Sequence, residues 1–139
     1  MTKKFVNKKL LEIGFPAKYC GFKYISSAIM ILDGRSDSDV KMTWMYYVIA
    51  KEYNTTPGAV ERGIRYSLQA VRTNMINPDK IEHYIGLENP QNQTSLFRLY
   101  MVLKDEYESS QMISENSPQI REFIIKLAEQ FGVKIAVLN

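Results

Sequence analysis

Arginine and glutamine side chains recur one helical turn apart within residues 57–73, PGAVERGIRYSLQAVRT. At 100° per residue, one side of a helix over this stretch carries Gly58, Arg62, Arg65 and Gln69. An arginine can donate two parallel hydrogen bonds to O6 and N7 of guanine, which is the commonest base-specific contact in the major groove of DNA. A surface that binds nucleic acid is therefore one interpretation of this spacing.

The opposite side of the same helix is apolar and predicts contact with a core; it carries Val60, Ile64, Ser67, Leu68 and Val71. Glu61, Tyr66 and Arg72 fall at the borders between the two sides. The alternative interpretation is an ordinary solvated face, in which Glu61 pairs with Arg65 for about 0.3 kcal/mol. Glu61 could also accept a hydrogen bond from a cytosine amino group, and the sequence leaves both roles open.

The helix-turn-helix motif supplies a reason to prefer the nucleic-acid interpretation. MTWMYYVIAKEY predicts a helix that closes at Asn54, and a second helix follows with Thr56 as N-cap and Pro57 at its first position. Two helices joined by so short a turn predict a helix-turn-helix over about 41–73, whose second helix enters the major groove.

Within that motif, each polar residue has an expected partner. Arg62 and Arg65 are candidates for base edges, whereas Gln69 and Arg72 lie further along and are expected to meet phosphates. Thr55 and Thr56 are expected to cap the helix start, where amide N–H groups can also hold a phosphate. Lysines that could add sequence-independent attraction are Lys3, Lys4, Lys8, Lys9, Lys18 and Lys23.

Hydrophobic periodicity over the remaining sequence predicts an all-α fold, a compact multi-helix bundle that forms one domain over 1–139. Further helices are expected at about 4–12, 21–32, 79–85, 96–106 and 120–131. Asp37 or Asp39 should be the N-cap of the first helix of the helix-turn-helix, MTWMYYVIAKEY. The polar stretch ESSQMISENSP should separate the last two helices. The apolar stripes of those two helices are expected to pack internally or to form a dimer interface, and the terminal KIAVLN to be a strand or a tail.

Composition weakens the other function classes. The 139 residues carry a net charge of +3, one cysteine and one histidine, so neither a disulfide within the chain nor a cysteine-based zinc site is expected. No glycine-rich phosphate loop or nucleophile–base pattern is present, and no apolar run is long enough for a membrane span. We expect a cytoplasmic protein that is not an enzyme and has no cofactor, no metal and no membrane partner.

Two separated motifs carry a resemblance to a known family. EIGFPAKYCGFKYISSAI and, after a spacer, YYVIAKEYNTTPGAVERGIRYSLQAV resemble the C-terminal DNA-binding effector domain of the sporulation master response regulators of endospore-forming bacteria. The resemblance covers about 13–77, with a weaker echo in SPQIREFIIKLAEQF. It implies an all-helical transcription factor domain that contains a helix-turn-helix, binds promoter DNA and activates or represses transcription. RNA polymerase and a homodimer on DNA are further candidate partners. Glu61, Arg62 and Arg65 match polar positions of the family's recognition helix, and Thr55 and Thr56 match its turn.

The chain also departs from the family pattern. Ala59 stands in place of an arginine, Tyr66 in place of a histidine and Cys20 in place of a lysine, while about 88–116 resembles an insertion. The family's regulators place a phosphorylatable receiver domain ahead of this one. The sequence therefore predicts a stand-alone regulator, constitutively competent or controlled through the insertion. The alternative is a protein-interaction module or an antagonist of a related regulator, with the same fold but no specific DNA binding.

Overall fold

Seven α-helices account for most of the residues that the computed structural model describes, which are 1–35, 40–88, 90–115 and 118–132, with the side chains of 113–120 left out. In chain order they are α1 (Lys3–Ile13), α2 (Cys20–Gly34), α3 (Met42–Glu52), α4 (Pro57–Asn74), α5 (Pro78–Tyr84), α6 (Asn92–Glu115) and α7 (Pro118–Gln130). None of these described residues lies in a strand, and the all-α prediction is confirmed.

Internal contacts divide the chain into two units, Met1–Lys104 and Asp105–Asn139, where the sequence predicts one domain. The first unit contains the hydrophobic core, to which α1 to α5 and the first half of α6 all contribute. Its fully buried side chains include Val6, Leu10, Ile13, Ile25, Ile29, Met45, Ile49, Val60, Ile64, Ile81, Leu96, Leu99 and Leu103. No helix among the described residues is long and apolar enough to cross a membrane.

Local stereochemistry explains several helix ends. Gly14 ends α1 with φ 110°, a left-handed conformation that glycine adopts without steric cost. The helix α3 begins at Met42 with Lys41 at its N-cap position and no side-chain cap. Asp37 and Asp39, the predicted caps of this helix, lie outside the described residues.

The helices α2 and α4 approach each other closely at two glycines. A Cβ atom on Gly21 would fall well inside van der Waals distance of the Ser67 hydroxyl and of the Gly63 carbonyl oxygen. A Cβ atom on Gly63 would lie 2.9 Å from Cδ2 of Tyr24. Two glycines therefore let the backbones of α2 and α4 meet directly, and this contact sets how far α4 sinks into the core.

The second half of the chain departs further from prediction. The helix α6 extends from Asn92 to Glu115, so most of ESSQMISENSP continues the helix that was predicted for about 96–106. Serine, glutamine and glutamate tolerate a helical backbone, and no glycine or proline interrupts this one before Pro118. The stripe formed by Leu96, Leu99 and Leu103 is buried, which confirms internal packing for the first half of α6.

The apolar stripe of α7, expected to pack internally or to form a dimer interface, carries exposed side chains. The exposed fraction is 65% for Phe123, 39% for Ile124, 44% for Leu127 and 74% for Phe131. The Ile120 side chain, predicted for the same stripe, and the terminal KIAVLN lie outside what the structure describes.

The substitution Gly21→Ala tests the contact between α2 and α4. The added methyl group meets backbone as well as a side chain, so the free energy of unfolding should fall by about 3 kcal/mol. The matched control is Gly34→Ala in the same helix, where an added Cβ meets nothing within 4 Å. Thermal unfolding followed by circular dichroism should give the control an unchanged or higher Tm, and equal Tm values for the two variants would contradict the close contact.

Candidate nucleic-acid interface

The turn between α3 and α4 is short because two local features reverse the chain. Asn54 adopts a left-handed conformation with φ 53°, as predicted for the residue that closes α3. The Thr55 amide donates to the carbonyl oxygen of Ala50 at 2.9 Å, which folds the turn back on the end of the helix. These features bring the start of α4 directly beside the end of α3.

The start of α4 follows the predicted capping pattern. Oγ1 of Thr56 accepts a hydrogen bond from the Ala59 amide at 3.1 Å, and Pro57 occupies the first turn of the helix. Thr56, Pro57 and Gly58 are exposed, whereas Thr55 is half-buried. The positive end of the helix dipole is thus open to an anion from solvent.

The inner side of α4 is buried as its periodicity predicts, and this fixes which residues face outward. Its buried side chains are Val60, Ile64, Ser67, Leu68, Val71 and Arg72. Five of these six form the predicted apolar side, and Arg72 is the addition.

Arg62 lies on the outer side of α4, one turn after Gly58. Its side chain is exposed and folds back along the helix, so that Nη1 lies 3.2 Å from where a Cβ atom of residue 58 would be. Within the described part of the chain, no carboxylate pairs with this guanidinium. Arg62 therefore presents a cation with its hydrogen-bond donors available.

Arg65, the second outer arginine, is held by its neighbours. Its Nη1 lies 2.6 Å from Oε1 of Glu61, and its guanidinium carbon lies 5.5 Å from the ring centroid of Tyr66. Glu61 therefore orients Arg65 in the free protein, which is one of the two roles that the sequence left open. Tyr66 itself is 60% exposed and widens the outer face.

A cleft of about 490 Å³ runs along one flank of α4. Its walls come from α3, from α4 and from residues 90–93 at the start of α6; they include Met42, Tyr46, Glu61, Arg65, Leu68 and Gln69. At its base, Nδ2 of Asn92 donates to the Glu61 carbonyl oxygen at 3.1 Å and to the Tyr46 hydroxyl at 3.2 Å. Burial raises the pKa of Tyr46, so its phenol is protonated at neutral pH.

Asn92 is the functional candidate that sequence reasoning missed. Its partners lie 31 and 46 residues away, and nothing in NPQNQ indicates which asparagine or glutamine reaches a distant helix. The side-chain type gave the only signal, since an amide can donate two hydrogen bonds at once.

Arg72 does not join the outer face that was predicted to meet phosphates. Its side chain is 8% exposed, its Nε donates to the Gly86 carbonyl, and its Nη2 donates to the Ile85 carbonyl and to the Ser95 hydroxyl, at 2.9 to 3.0 Å. Nη1 is buried without a hydrogen-bond partner among the described residues, and burial lowers the pKa of the guanidinium. The carbonyl groups at the C-terminal end of α5 draw this cation inward.

Two of the predicted lysines gather at the turn. Nζ of Lys3 lies 3.3 Å from the Tyr53 hydroxyl, and Nζ of Lys23 lies 4.9 Å from the centroid of the Tyr53 ring. Nζ of Lys3 also lies 3.8 Å from Oε1 of Glu52, and Lys9 pairs with Glu12 at 3.6 Å. Positive charge beside the junction of α3 and α4 therefore comes mainly from Lys23, because Glu52 partly offsets the charge of Lys3.

The fold and this surface define a class: an all-helical protein built around a helix-turn-helix, with exposed arginine on the second helix. The chain belongs to the family described as sporulation initiation factor Spo0A C terminal, whose family model matches residues 6–104. This family is a DNA-binding effector domain rather than an enzyme class, so at family level the protein is a DNA-binding regulator. The matched range includes both helices of the motif and also residues 88–104 of the predicted insertion.

The substitution Arg72→Met tests whether this arginine acts inside the fold. Methionine keeps the volume but leaves two buried carbonyl groups without their donor, so the free energy of unfolding should fall by about 3 kcal/mol. The control Gln69→Met, one turn earlier and exposed, should change it by less than about 0.5 kcal/mol.

Urea denaturation gives both values. Affinity for a random duplex, measured under conditions in which both variants are folded, should remain at the wild-type value for Arg72→Met. A several-fold loss of that affinity together with unchanged stability would place Arg72 on the phosphate backbone instead.

Proposed function

We propose that the protein is a sequence-specific DNA-binding transcriptional regulator, and that α4, the predicted recognition helix at about 57–73, enters the major groove. The observation that carries this proposal is the exposed guanidinium of Arg62, which pairs with no carboxylate of the described residues and lies on the outer side of a helix that follows a tight turn. In a helix-turn-helix, the first turns of the second helix lie nearest to the base edges.

Arg62 and Arg65 are assigned to base recognition. Arg62 can pair with O6 and N7 of a guanine, and Gly58, one turn earlier, has no side chain to obstruct the Arg62 guanidinium. Arg65 arrives already oriented by Glu61, which lowers the entropy cost of fixing a long side chain at a base edge. Tyr66, where the family has a histidine, adds an exposed aromatic surface beside this arginine.

Backbone contacts are assigned to the two ends of the outer face. Thr55 and Thr56 lie at the helix start, where amide N–H groups and the helix dipole favour a phosphate. Lys23 adds positive charge beside the turn, where Lys3 is already paired with Glu52 at 3.8 Å, and Gln69 offers an exposed amide further along α4. Arg72 is left out of the interface because its donors are turned into the core.

Homodimerisation on DNA and contact with RNA polymerase belong to the same proposal as further partners. A dimer on DNA would place two recognition helices about one helical turn apart, near 34 Å. Two half-sites at that spacing in the preferred DNA sequence would support the dimer.

A protein-interaction module is the second candidate function, and one observation favours it. The exposed apolar side chains of α7 present the kind of surface that protein partners cover. A module of this kind would retain a protein partner when Arg62 and Arg65 are replaced, and its wild type would show no preference among duplexes.

Selection from a random duplex pool, followed by titration of variants, tests the main proposal. Wild type should enrich a defined sequence. Arg62→Ala and Arg65→Ala should each weaken binding to that sequence by about 1 to 3 kcal/mol and change binding to a random duplex much less.

The matched control is Arg121→Ala, which removes an exposed arginine of α7 and should leave the affinity for the selected sequence unchanged. An equal loss in all three variants would indicate a response to net charge alone. Failure of wild type to enrich any sequence would refute sequence-specific binding.

A further inference from the structure

Asn92, the first residue of α6, contacts both helices of the helix-turn-helix. The donors of its side-chain amide reach the Glu61 carbonyl oxygen in α4 at 3.1 Å and the Tyr46 hydroxyl in α3 at 3.2 Å. The side chain is half-buried at the base of the cleft beside the outer face. A single amide thus joins the start of α6 to two helices whose contacting residues lie 31 and 46 positions earlier in the sequence.

The hydrogen bond from Asn92 to the Glu61 carbonyl affects the outer face, because Glu61 lies beside both outer arginines. Glu61 precedes Arg62 directly, and its carboxylate holds Arg65 at 2.6 Å. A carbonyl oxygen within an α-helix has a second lone pair after its backbone hydrogen bond, and Asn92 uses that lone pair. By fixing the Glu61 backbone, this hydrogen bond also fixes the rotation of α4 about its own axis, and therefore the direction in which Arg62 and Arg65 point.

The bond to Tyr46 supplies the second anchor. A phenol is protonated at neutral pH, so the Tyr46 hydroxyl accepts from Asn92 while still carrying a proton to donate. With both N–H donors engaged on different helices, rotation of α4 about its own axis relative to α3 would break at least one hydrogen bond.

We propose that Asn92 is a positioning residue for sequence recognition, which sets the angle at which α4 presents Arg62 and Arg65. This inference rests on the proposed function, since it concerns how that helix reads bases. Asn92 acts through the Glu61 backbone and does not itself contact DNA.

A positioning residue should affect specific DNA binding more than non-specific binding, because the two depend differently on geometry. A bidentate hydrogen bond to guanine requires donor–acceptor distances near 2.9 Å and aligned angles, so a small rotation of α4 weakens it steeply. Attraction between the same cations and phosphates varies slowly with distance and hardly changes. Loss of Asn92 should therefore reduce discrimination between sequences more than overall attraction to DNA.

The experiment compares Asn92→Ala and Asn92→Leu with wild type, on the selected duplex and on a random duplex, at a temperature where each is folded by circular dichroism. Both variants remove the donors without changing the charge, and leucine approximately keeps the shape. Affinity for the selected duplex should fall by about three- to tenfold in both, with affinity for the random duplex within about twofold of wild type. Thr94→Ala, an exposed change in the same turn, is the matched control and should alter neither affinity.

Tyr46→Phe provides a milder test should both Asn92 variants fail to fold. It removes one of the two anchors and keeps the ring, so a smaller loss, about two- to threefold and on the selected duplex alone, is expected.

A double-mutant cycle separates positioning from general stabilisation. In the Arg62→Ala, Arg65→Ala background, adding Asn92→Ala should cause no further loss on the selected duplex, because the groups that it positions are gone. Equal losses on both duplexes, no loss on either, or full additivity in the cycle would overturn the proposal. Failure of wild type to prefer any duplex is a different result, which refutes the proposed function itself.

Discussion

The direct contact between α2 and α4 at Gly21 and Gly63 is the constraint on which the rest of the interface depends. Because neither glycine has a side chain, the two backbones approach until the Ser67 hydroxyl and the Tyr24 ring fill the remaining space. This approach buries one side of α4 completely, and at 100° per residue the opposite side must then face outward. The outward direction of the arginines follows from packing on the other side of their helix.

The two arginines on the outer face differ in their ionic partners, and we therefore expect different roles for them. The charge of Arg65 is partly neutralised by Glu61, which weakens the long-range attraction of Arg65 to DNA. The same ion pair holds the Arg65 side chain in a defined orientation. Arg62 has no such partner among the described residues, so it retains both its field and its donors. The charge of Arg72 is buried and does not lie on the outer face. Its hydrogen bonds instead hold the end of α5 and the start of α6 against α4.

Predictions from the sequence succeeded where the cause is local. Asn54, Thr56 and Pro57 indicate the turn because left-handed backbone, side-chain capping and a fixed φ depend on the residue itself and its near neighbours. Predictions failed where a distant segment decides. The burial of Arg72 depends on the carbonyl groups of Ile85 and Gly86, which lie 13 and 14 residues away. The contacts of Asn92 depend on Glu61 and Tyr46, which lie 31 and 46 residues away. Roles on DNA stay predictions, because base contacts form only in a complex.

The central claim is that the outer side of α4 meets base edges in the major groove. The most direct measurement is a crystal structure of the protein bound to the duplex that it selects. In that complex we expect the Arg62 guanidinium within about 3 Å of O6 and N7 of a guanine, with α4 in the major groove and its inner side unchanged. A complex in which α4 faces away from the groove, or in which Arg62 contacts phosphates alone, would contradict it.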